Sequence, residues 1–392
     1  MPRSLPPDRI GVVYDVAVVG AGPAGAAAAL SALRCRPGAR VLLLDKADFP
    51  RDKSCGDGIA PHALDELARL GAAEVLADRV PVTRLRLRSP GGVDVGAELR
   101  RPDYVVPREV FDARLVAVAV DRGAELVRLA VRALEVRPGS VVLNDSFEAR
   151  VVVAADGANG VLRRLVGSGR QPPAAMAVAV RGYAAAPPGP PEQVIVMDGR
   201  DWPAYAWSFA AGDGTANVGF GMLLPSLQAA PSGGRRELHA RLIELLPGIE
   251  PTRLRSHHLP LSSARPSQPP GRVLLAGDAA SLINPLTGEG IFYALLSGRL
   301  AGAAAVGPAD PGAAYRAALA GELGRHLRHT TLLARLTADQ RILEAGVRAA
   351  GRSPGAFDAL VEVGLGRGLI TRPLLQALAG EVFAKARRVV TR

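Results

Sequence analysis

The stretch Asp15-Val-Ala-Val-Val-Gly20-Ala-Gly22-Pro23-Ala24-Gly25 decides the fold of this chain. An apolar strand runs into Gly20-x-Gly22-x-x-Gly25, and an alanine-rich helix follows it. In this pattern the first glycine permits a tight turn, the second lets a pyrophosphate approach the backbone, and the third lets the helix pack on the strand. The phosphates then lie at a helix N-terminus, where free N–H groups and the helix dipole favour negative charge. The stretch therefore predicts a Rossmann-type dinucleotide site.

The strand that follows supports this prediction. Val41–Leu44 is apolar and ends at Asp45, twenty residues after Gly25. An acidic side chain at that place accepts hydrogen bonds from the adenosine ribose hydroxyls.

Two later segments carry the same kind of chemistry at the end of an apolar strand. The first is Val151-Val-Val-Ala-Ala-Asp156-Gly157, which on its own is equally typical of a plain strand and turn. The second is Leu274-Leu-Ala-Gly277-Asp278, and it is followed by Asn284-Pro285-Leu-Thr-Gly288-Glu-Gly290-Ile291. Asp278 is placed to hydrogen-bond a ribityl chain. The helix that opens after Gly290 would stabilise negative charge at the pyrimidine edge of a flavin.

Together these motifs resemble the glutathione-reductase-type FAD fold, in the branch shared with para-hydroxybenzoate hydroxylase. The resemblance covers most of residues 12–310. The three-piece site predicts tightly bound FAD, and because no established covalent-attachment motif is present we expect it to be held without a covalent link. The resemblance also implies that Arg108 lies against the cofactor, although a surface salt bridge would equally account for an arginine there. The residues expected to bind FAD are Gly20, Gly22, Pro23, Ala24, Gly25, Asp45, Lys46, Arg51, Cys55, Gly56, Arg108, Asp156, Gly157, Gly277, Asp278, Pro285, Gly288, Gly290 and Ile291.

The predicted fold class is α/β, with a Rossmann-type, glutathione-reductase-like FAD-binding domain, an inserted β-sheet substrate domain and a helical C-terminal region. The discontinuous FAD-binding domain is predicted to comprise residues 1–80, 104–168 and 270–310. The substrate-binding sheet is predicted to comprise residues 81–103 and 169–269, of which 251–270 looks loop-rich. Residues 311–392 are predicted to be helical, with breaks near Pro308, Pro354 and Pro373.

Two further stretches indicate which family of FAD-binding proteins the chain resembles most. They are Phe49-Pro-Arg-Asp-Lys-Ser-Cys55-Gly56-Asp-Gly-Ile59 and Tyr205-Ala-Trp207-Ser-Phe209, the latter followed by Gly219-Phe-Gly221. With Arg181-Gly-Tyr183 they resemble the geranylgeranyl reductase family, whose members reduce isoprenoid double bonds in archaeal lipids, chlorophyll side chains and menaquinone. The chain departs from the family at Ala210, where a proline is usual, and it matches least after residue 310.

The resemblance implies that the first stretch curves around the flavin and that the second lines a pocket for a long apolar chain. The expected reaction is hydride delivery from flavin N5 to a C=C bond of a hydrophobic or lipid substrate, with a proton added to the other carbon. The electron donor would be external, either NAD(P)H or another carrier.

Apart from the resemblance, the spacing of three aromatic residues predicts that they line one side of a pocket. Tyr205, Trp207 and Phe209 stand at alternate positions and so share one face of a strand. In a chain with only 4% aromatic residues this concentration is informative. We expect the three rings to contact substrate, and ordinary core packing is the alternative.

Cys55 is the candidate catalytic residue. It follows Arg51 and Lys53, and nearby cations lower the pKa of a thiol and favour thiolate. In the resembling family this cysteine is a candidate for proton delivery or substrate positioning. The alternative is a small buried residue that packs against the flavin.

The charge, the cysteine count and the hydrophobic pattern of the chain indicate which other partners and locations to expect. The net charge is +11, but only three of the 48 basic residues are lysine, which indicates genome bias and leads us to expect no nucleic-acid partner. The two cysteines, Cys35 and Cys55, lack metal-ligand spacing, so no metal is expected. No signal peptide or membrane span is evident, which predicts a cytoplasmic protein. The basic stretch Glu381–Arg392 predicts peripheral contact with a membrane surface, or a solvated last helix.

Two other functions stay open at this stage. The same FAD fold serves monooxygenases and halogenases that tailor secondary metabolites. However, Tyr205–Ala210 differs from the halogenase Trp-x-Trp-x-Ile-Pro pattern, and aromatic hydroxylases usually lack the Lys-Ser-Cys-Gly element at 53–56. A non-catalytic flavin-binding protein is the second alternative, and no motif supports it.

Overall fold

The computed structural model describes residues 12–307 and 309–390, with side chains described as far as residue 382. The strands in this part of the chain are β1 (Val13–Val19), β2 (Val41–Asp45), β3 (Gly58–Ile59), β4 (Pro81–Arg88), β5 (Asp94–Val105), β6 (Glu125–Arg128), β7 (Leu134–Arg137), β8 (Ser140–Leu143), β9 (Phe147–Ala154), β10 (Met176–Ala185), β11 (Glu192–Met197), β12 (Tyr205–Ala210), β13 (Thr215–Leu223), β14 (Thr252–Pro260) and β15 (Val273–Leu275).

The α-helices alternate with the strands at first and then dominate the end of the chain. They are α1 (Pro23–Cys35), α2 (Pro61–Leu70), α3 (Arg108–Asp121), α4 (Leu162–Leu165), α5 (Leu224–Ala229), α6 (Gly234–Leu245), α7 (Ile291–Ala305), α8 (Pro311–Leu336), α9 (Gln340–Arg352), α10 (Pro354–Leu365) and α11 (Arg372–Val390). Among the described helices, none is long and apolar enough to cross a membrane.

The first sheet has the order β6-β2-β1-β9-β8-β7, and β15 also pairs with β9. Its centre is parallel, because β1 runs alongside both β2 and β9, and β15 runs alongside β9. These strands are short apolar runs that are buried on both faces, as a parallel sheet covered by helices requires. The carboxyl ends of β1, β2, β9 and β15 therefore meet at one edge, which is where the sequence places its predicted cofactor residues.

The second sheet has the order β14-β10-β13-β12-β11-β4-β5-β3 and is antiparallel except for the β11–β4 pair. Two short pieces of the segments predicted for the cofactor domain belong to this sheet, because Gly58–Ile59 pairs with Tyr104–Val105. The division into domains stays a prediction, and the second sheet reaches into the cofactor segments at this point.

The prediction that residues 251–270 are loop-rich was wrong for their first half, which forms β14. Among the described strands it pairs with β10 alone, so it lies at the edge of the sheet, and it is largely exposed. Its sequence, Thr-Arg-Leu-Arg-Ser-His-His-Leu-Pro, is polar because an edge strand has little apolar surface to cover, so a hydrophobic pattern could not reveal it.

Helices α1 and α7 pack almost backbone to backbone. A Cβ on Gly298 would stand 2.1 Å from the Ala24 carbonyl oxygen, and a Cβ on Gly302 would stand 2.1 Å from that of Ala28. Glycine in α7 and alanine in α1 therefore permit the contact. It fixes the start of α7 next to the Gly20–Gly25 turn, although some 270 residues of chain separate them.

The C-terminal helices cover the second sheet. Leu343 and Val347 of α9 and Phe357 of α10 share a buried cluster with Leu85 of β4 and Val95 of β5. A further helix break falls at residues 337–339, which the proline pattern did not predict.

We predict that Gly302→Ala destabilises the protein by about 1–3 kcal/mol, because the added methyl group would overlap the α1 backbone. Thermal unfolding of the FAD-loaded protein measures the effect. The matched control is Gly321→Ala in the exposed part of α8, where an added Cβ meets nothing within 4 Å. There we expect a gain of about 0.5–1 kcal/mol, because alanine is the better helix former. Equal melting temperatures for the two variants would contradict the packing argument.

Candidate functional site

The Gly20–Gly25 turn has the geometry of a phosphate-binding loop. Gly20 has a φ of +97°, and a Cβ there would stand 2.2 Å from the Ala155 carbonyl oxygen. A Cβ on Gly25 would stand 1.7 Å from the Gly20 carbonyl oxygen, so neither position accepts a larger residue. At Gly22 the nearest atom lies 3.5 Å away, on the Arg51 guanidinium, and the next is on Arg108. The loop is therefore open where a pyrophosphate needs room, and two cations border the opening.

A chain of ion pairs holds these cations in place. Arg51 lies 3.5 Å from Asp45 and 3.1 Å from Asp112, and Arg108 donates to Asp112 in a bidentate pair of 2.7 and 2.8 Å. Asp45 also accepts a 2.9 Å hydrogen bond from the Ala21 N–H. Arg108 is only 3% exposed, so the surface-salt-bridge interpretation of Arg108 was wrong and its guanidinium faces the site.

The predicted residues at the ends of β9 and β15 lie at the same edge. Asp156 accepts a hydrogen bond from the Leu162 N–H at 2.9 Å, Gly157 has a φ of +78°, and Lys46 is an exposed cation near Asp156. Gly277 has a φ of +59°, and a Cβ there would touch Ala24. These positions surround the carboxyl ends of the parallel strands, where ligands bind in folds of this class.

Asp278 forms an ion pair with Lys53 at 2.9 Å. Burial alone would raise the pKa of this carboxyl group, but the Lys53 ammonium outweighs it and holds the pKa below its ordinary value. Asp278 is therefore an anion at neutral pH and can accept hydrogen bonds from hydroxyl groups.

One cavity of about 300 Å³ brings the two predicted groups of residues together. From the cofactor group its walls include Pro23, Cys55, Gly56, Arg108, Asp278, Pro285, Gly288, Gly290 and Ile291, and from the substrate group they include Tyr205, Trp207 and Phe209. Within the described residues, no group of three or more His, Cys, Asp or Glu side chains could hold a metal ion.

The aromatic residues of β12 form a continuous wall. The ring centroids of Tyr205 and Trp207 lie 6.0 Å apart, and those of Trp207 and Phe209 lie 6.4 Å apart. Gly219 leaves the space that Trp207 fills, because a Cβ there would stand 2.2 Å from the indole ring. The wall continues to Gly56, where a Cβ would lie 3.3 Å from the Phe209 ring. The loop around Cys55 thus packs directly on the aromatic strand.

The expectation that cations would make Cys55 a thiolate was wrong. Arg108 and Lys53 do lower the pKa of the Cys55 thiol, but burial raises it by more, and the net pKa lies above the ordinary value of a cysteine. Cys55 is therefore a neutral thiol at neutral pH.

A buried polar network holds the Cys55 loop against the second sheet. The Asn217 side-chain amide donates to the Cys55 carbonyl oxygen at 2.9 Å and to Asp57 at 2.7 Å. The Trp207 indole N–H donates to Asn217 at 2.8 Å, and the Tyr183 hydroxyl donates to Asp57 at 2.6 Å. Burial raises the pKa of Asp57 to about 6 despite these hydrogen bonds. The network ties the loop and the aromatic wall into one rigid unit.

The sequence predictions missed several residues of the cavity wall. Those with polar side chains include Asp103, Gln193, His257 and Glu289. Glu289 lies within the Asn284–Ile291 stretch, which the sequence singles out. Asp103 lies in β5, whose charged residues carry no signal for a functional site. The cavity is also lined by C-terminal residues for which the sequence predicts no role, namely Leu333, Thr337, Ile342, Leu343, Gly346, Val347, Leu360, Val361, Gly364, Leu365 and Leu378.

Comparison with known proteins shows which family the chain belongs to. Residues 13–180 match the FAD binding domain family. The menaquinone reductase of Mycolicibacterium smegmatis is 37% identical over 310 residues, which cover 73% of this chain and 75% of that protein. The digeranylgeranylglycerophospholipid reductase 1 of Methanopyrus kandleri is 33% identical over 310 residues, which cover 75% of this chain and 80% of that protein.

A solved structure shows the same fold over nearly the whole chain. The geranylgeranyl bacteriochlorophyll reductase-like protein of Thermoplasma acidophilum superposes with a TM-score of 0.74 at 23% identity, covering 96% of this chain and 99% of that one. The same family is indicated by the FAD-binding motifs, by the extent of the matches to both reductases and by the shared fold. This chain belongs to the geranylgeranyl reductase family of FAD-dependent oxidoreductases.

Proposed function

We propose that this protein reduces C=C bonds of an isoprenoid, such as a geranylgeranyl or polyprenyl chain, or of a similar hydrophobic substrate. The observation that carries the proposal is that predicted flavin-binding residues and the aromatic wall line the same cavity. Relatives at 33% and 37% identity are named for reductions of a digeranylgeranyl lipid and of menaquinone, both of which are hydrophobic molecules.

The lining of the cavity suits an apolar chain. Beyond the aromatic wall, the lining includes Leu85, Leu87, Ile195 and Met197 of the second sheet and apolar residues of the C-terminal helices. An apolar surface of this kind gains free energy from covering a hydrocarbon, at about 25 cal/mol per Å². The isoprenoid would therefore extend from the flavin end toward α9 and α10.

FAD fits the residues at the other end. The open turn at Gly22 and the cations Arg51 and Arg108 would hold its pyrophosphate, and Asp45 would hold the adenosine ribose. Asp278 would bind the ribityl chain, and the start of α7 after Gly290 would face the pyrimidine edge. Bound FAD would supply the hydride, and an external donor, NAD(P)H or another carrier, would replenish its electrons.

Cys55 would touch the reacting part of the substrate. It lines the cavity between Arg108 and the aromatic wall, and its neutral thiol is compatible with an apolar neighbour. We infer that Cys55 positions the double bond for hydride transfer.

A substrate with a long apolar chain is delivered most simply from a membrane surface, and we infer peripheral contact with one. The basic stretch Glu381–Arg392 was predicted to make this contact. Glu381 itself is buried and pairs with Arg348 and Arg352. The other side chains, apart from the exposed Val382, lie outside the described residues, so the contact stays a prediction, as does the absence of a nucleic-acid partner.

The decisive experiment reduces the bound flavin without oxygen and then adds either a polyprenyl substrate or O₂. We expect the isoprenoid to reoxidise the flavin rapidly, with a saturated bond in the product. A flavin–oxygen adduct that hydroxylates or halogenates substrate, with no reoxidation by the isoprenoid, would instead support the monooxygenase or halogenase. Reduced flavin that is inert to both additions would indicate a non-catalytic flavin-binding protein.

We predict that Asp278→Ala weakens FAD retention, because it removes a charge-assisted hydrogen bond worth about 1.5–3 kcal/mol. The purified wild type should be yellow and should release its flavin on acid precipitation. The FAD-to-protein ratio after gel filtration measures the effect, and Asp121→Ala at the exposed end of α3 is the control. Full FAD content in Asp278→Ala, or flavin that stays with the acid pellet, would contradict this account.

We predict that Trp207→Ala lowers turnover of long-chain substrates more than it lowers flavin content, because the indole ring forms the centre of the aromatic wall. Activity per bound flavin is the comparison. Trp207→Phe, which keeps a ring but loses the hydrogen bond to Asn217, should retain more of the activity. If Trp207→Ala loses flavin or folding while its specific activity is intact, Trp207 is only part of the core.

We predict that Cys55→Ala keeps its FAD and reduces substrate about 10- to 100-fold more slowly, because the double bond is no longer held in place. Cys55→Ser, which keeps the size of the side chain, should lose less. The exposed Cys35 provides the control variant Cys35→Ser. Wild-type rates in both Cys55 variants would show that this cysteine is structural.

A further inference from the structure

Two carboxyl groups from different parts of the chain face the same mainly apolar cavity. Asp103 lies near the end of β5 in the second sheet, and Glu289 lies in the turn that precedes α7. The Asp103 side chain is 2% exposed. The Tyr205 hydroxyl donates to the carbonyl oxygen of Thr287, two residues before Glu289. This contact ties the Glu289 turn to the aromatic wall.

The two carboxyl groups differ from Asp278 in having no direct ion pair among the described residues. In the part of the chain that the structure describes, no lysine, arginine or histidine nitrogen forms a salt bridge with Asp103 or Glu289, whereas Asp278 in the same cavity pairs with Lys53. One Glu289 oxygen accepts a 2.8 Å hydrogen bond from the Phe292 N–H at the start of α7. The Asp103 carboxyl group has a hydrogen bond with Gln193, but its buried Oδ1 atom has no hydrogen-bond partner among the described residues. An oxygen in that condition is most stable in a protonated carboxyl group.

Burial raises the pKa of both carboxyl groups, and the charge of Glu289 adds to this effect at Asp103. Burial raises the pKa of Glu289 to about 7, and burial followed by the charge of Glu289 raises the pKa of Asp103 well above its ordinary value. The other charged and titratable groups that face the pair are Arg101 on β5, Arg108 on α3, Tyr205 on β12 and Tyr293 on α7. Two buried carboxyl groups that repel each other retain a proton at neutral pH, and it belongs to the pair.

We propose that Asp103 and Glu289 share one proton and that this proton is transferred to the carbon of the substrate double bond that does not receive the hydride. This inference rests on the proposed function. Bound FAD in its reduced form would supply the hydride that forms a C–H bond at one carbon, and the π electron pair of the double bond would take the proton from the carboxyl pair at the other carbon. The carboxyl O–H bond breaks, and solvent returns a proton to the carboxylate pair. The substrate gains two hydrogens, and the donor of the electrons is the flavin.

The other titratable groups nearby are less suited to this role. The Cys55 thiol has a pKa above that of an ordinary cysteine and is a weaker acid than Glu289. Burial lowers the pKa of His257 to about 4, so this imidazole is neutral and is a poor acid at neutral pH. Asp57 is held by Tyr183 and Asn217 behind the cavity wall. A general acid works best when its pKa lies near the working pH, which favours the carboxyl pair.

The first test does not depend on turnover. Infrared difference spectra of the FAD-loaded protein, recorded across pH 5–9, should show a protonated carboxyl band that is lost with a midpoint above pH 6. Glu289→Gln and Asp103→Asn should each remove or shift this band. Glu322→Gln, which changes a surface pair with Arg367, should leave it unchanged. A spectrum that is the same in all four proteins would overturn the shared proton.

The second test follows flavin reoxidation by a polyprenyl substrate without oxygen. In the wild type the rate should fall as the pH rises through about 7, because the acid loses its proton. Glu289→Gln should be at least about 10²-fold slower, with normal FAD content and no pH dependence in this range. Asp103→Asn should shift the profile to lower pH, because Glu289 loses its like-charged neighbour.

The outcomes of these two tests distinguish a failure of the proposed proton transfer from a failure of the proposed reductase function. A Glu289→Gln variant with the wild-type rate and pH profile would overturn the proton transfer while the reductase function stands. A wild type that the isoprenoid cannot reoxidise would overturn the proposed function and the transfer with it. The infrared result would then still decide whether the two carboxyl groups share a proton.

Discussion

The contact between α1 and α7 is the constraint on which the site depends. Gly298 and Gly302 let α7 approach the α1 backbone so closely that no side chain fits between them. The turn before α1 and the turn before α7 are thereby held at the same edge of the first sheet. Every element of the flavin end is positioned from these two helix starts, so the packing of small residues sets the geometry of a charged site.

A second constraint joins this edge to the other sheet. The loop around Cys55 and Gly56 packs on the aromatic strand and is fastened to it through Asn217, which bonds both the loop and Trp207. Buried hydrogen-bonded networks of this kind are costly to break, because each freed polar group would remain in a low-dielectric interior. The flavin end and the hydrophobic end of the cavity therefore form one rigid surface, as accurate hydride transfer requires.

The sequence predicted the parts of this structure that depend on local chemistry. Gly20 and Gly25 were recognisable because only glycine fits their backbone positions, and Tyr205–Phe209 because strand alternation puts the rings on one face. The burial of a residue by elements distant in sequence could not be predicted. Cys55 has cationic neighbours in sequence, yet burial by distant strands outweighs them. Nothing in the sequence distinguishes Asp103 from other charged strand residues. The fold buries it in the wall of the cavity that Glu289 also lines. β14 was missed because an edge strand needs no hydrophobic pattern.

The central claim is that one cavity holds the reactive end of FAD and the apolar chain side by side. The most direct measurement is a crystal structure of the FAD-loaded protein with a saturated isoprenoid, the unreactive product, bound to it. The account predicts that the chain runs along Tyr205, Trp207 and Phe209 toward α9 and α10, with one carbon pair between the flavin ring and the Asp103–Glu289 carboxyl groups. An isoprenoid bound elsewhere, with this cavity filled by side chains or closed off from the flavin, would contradict it.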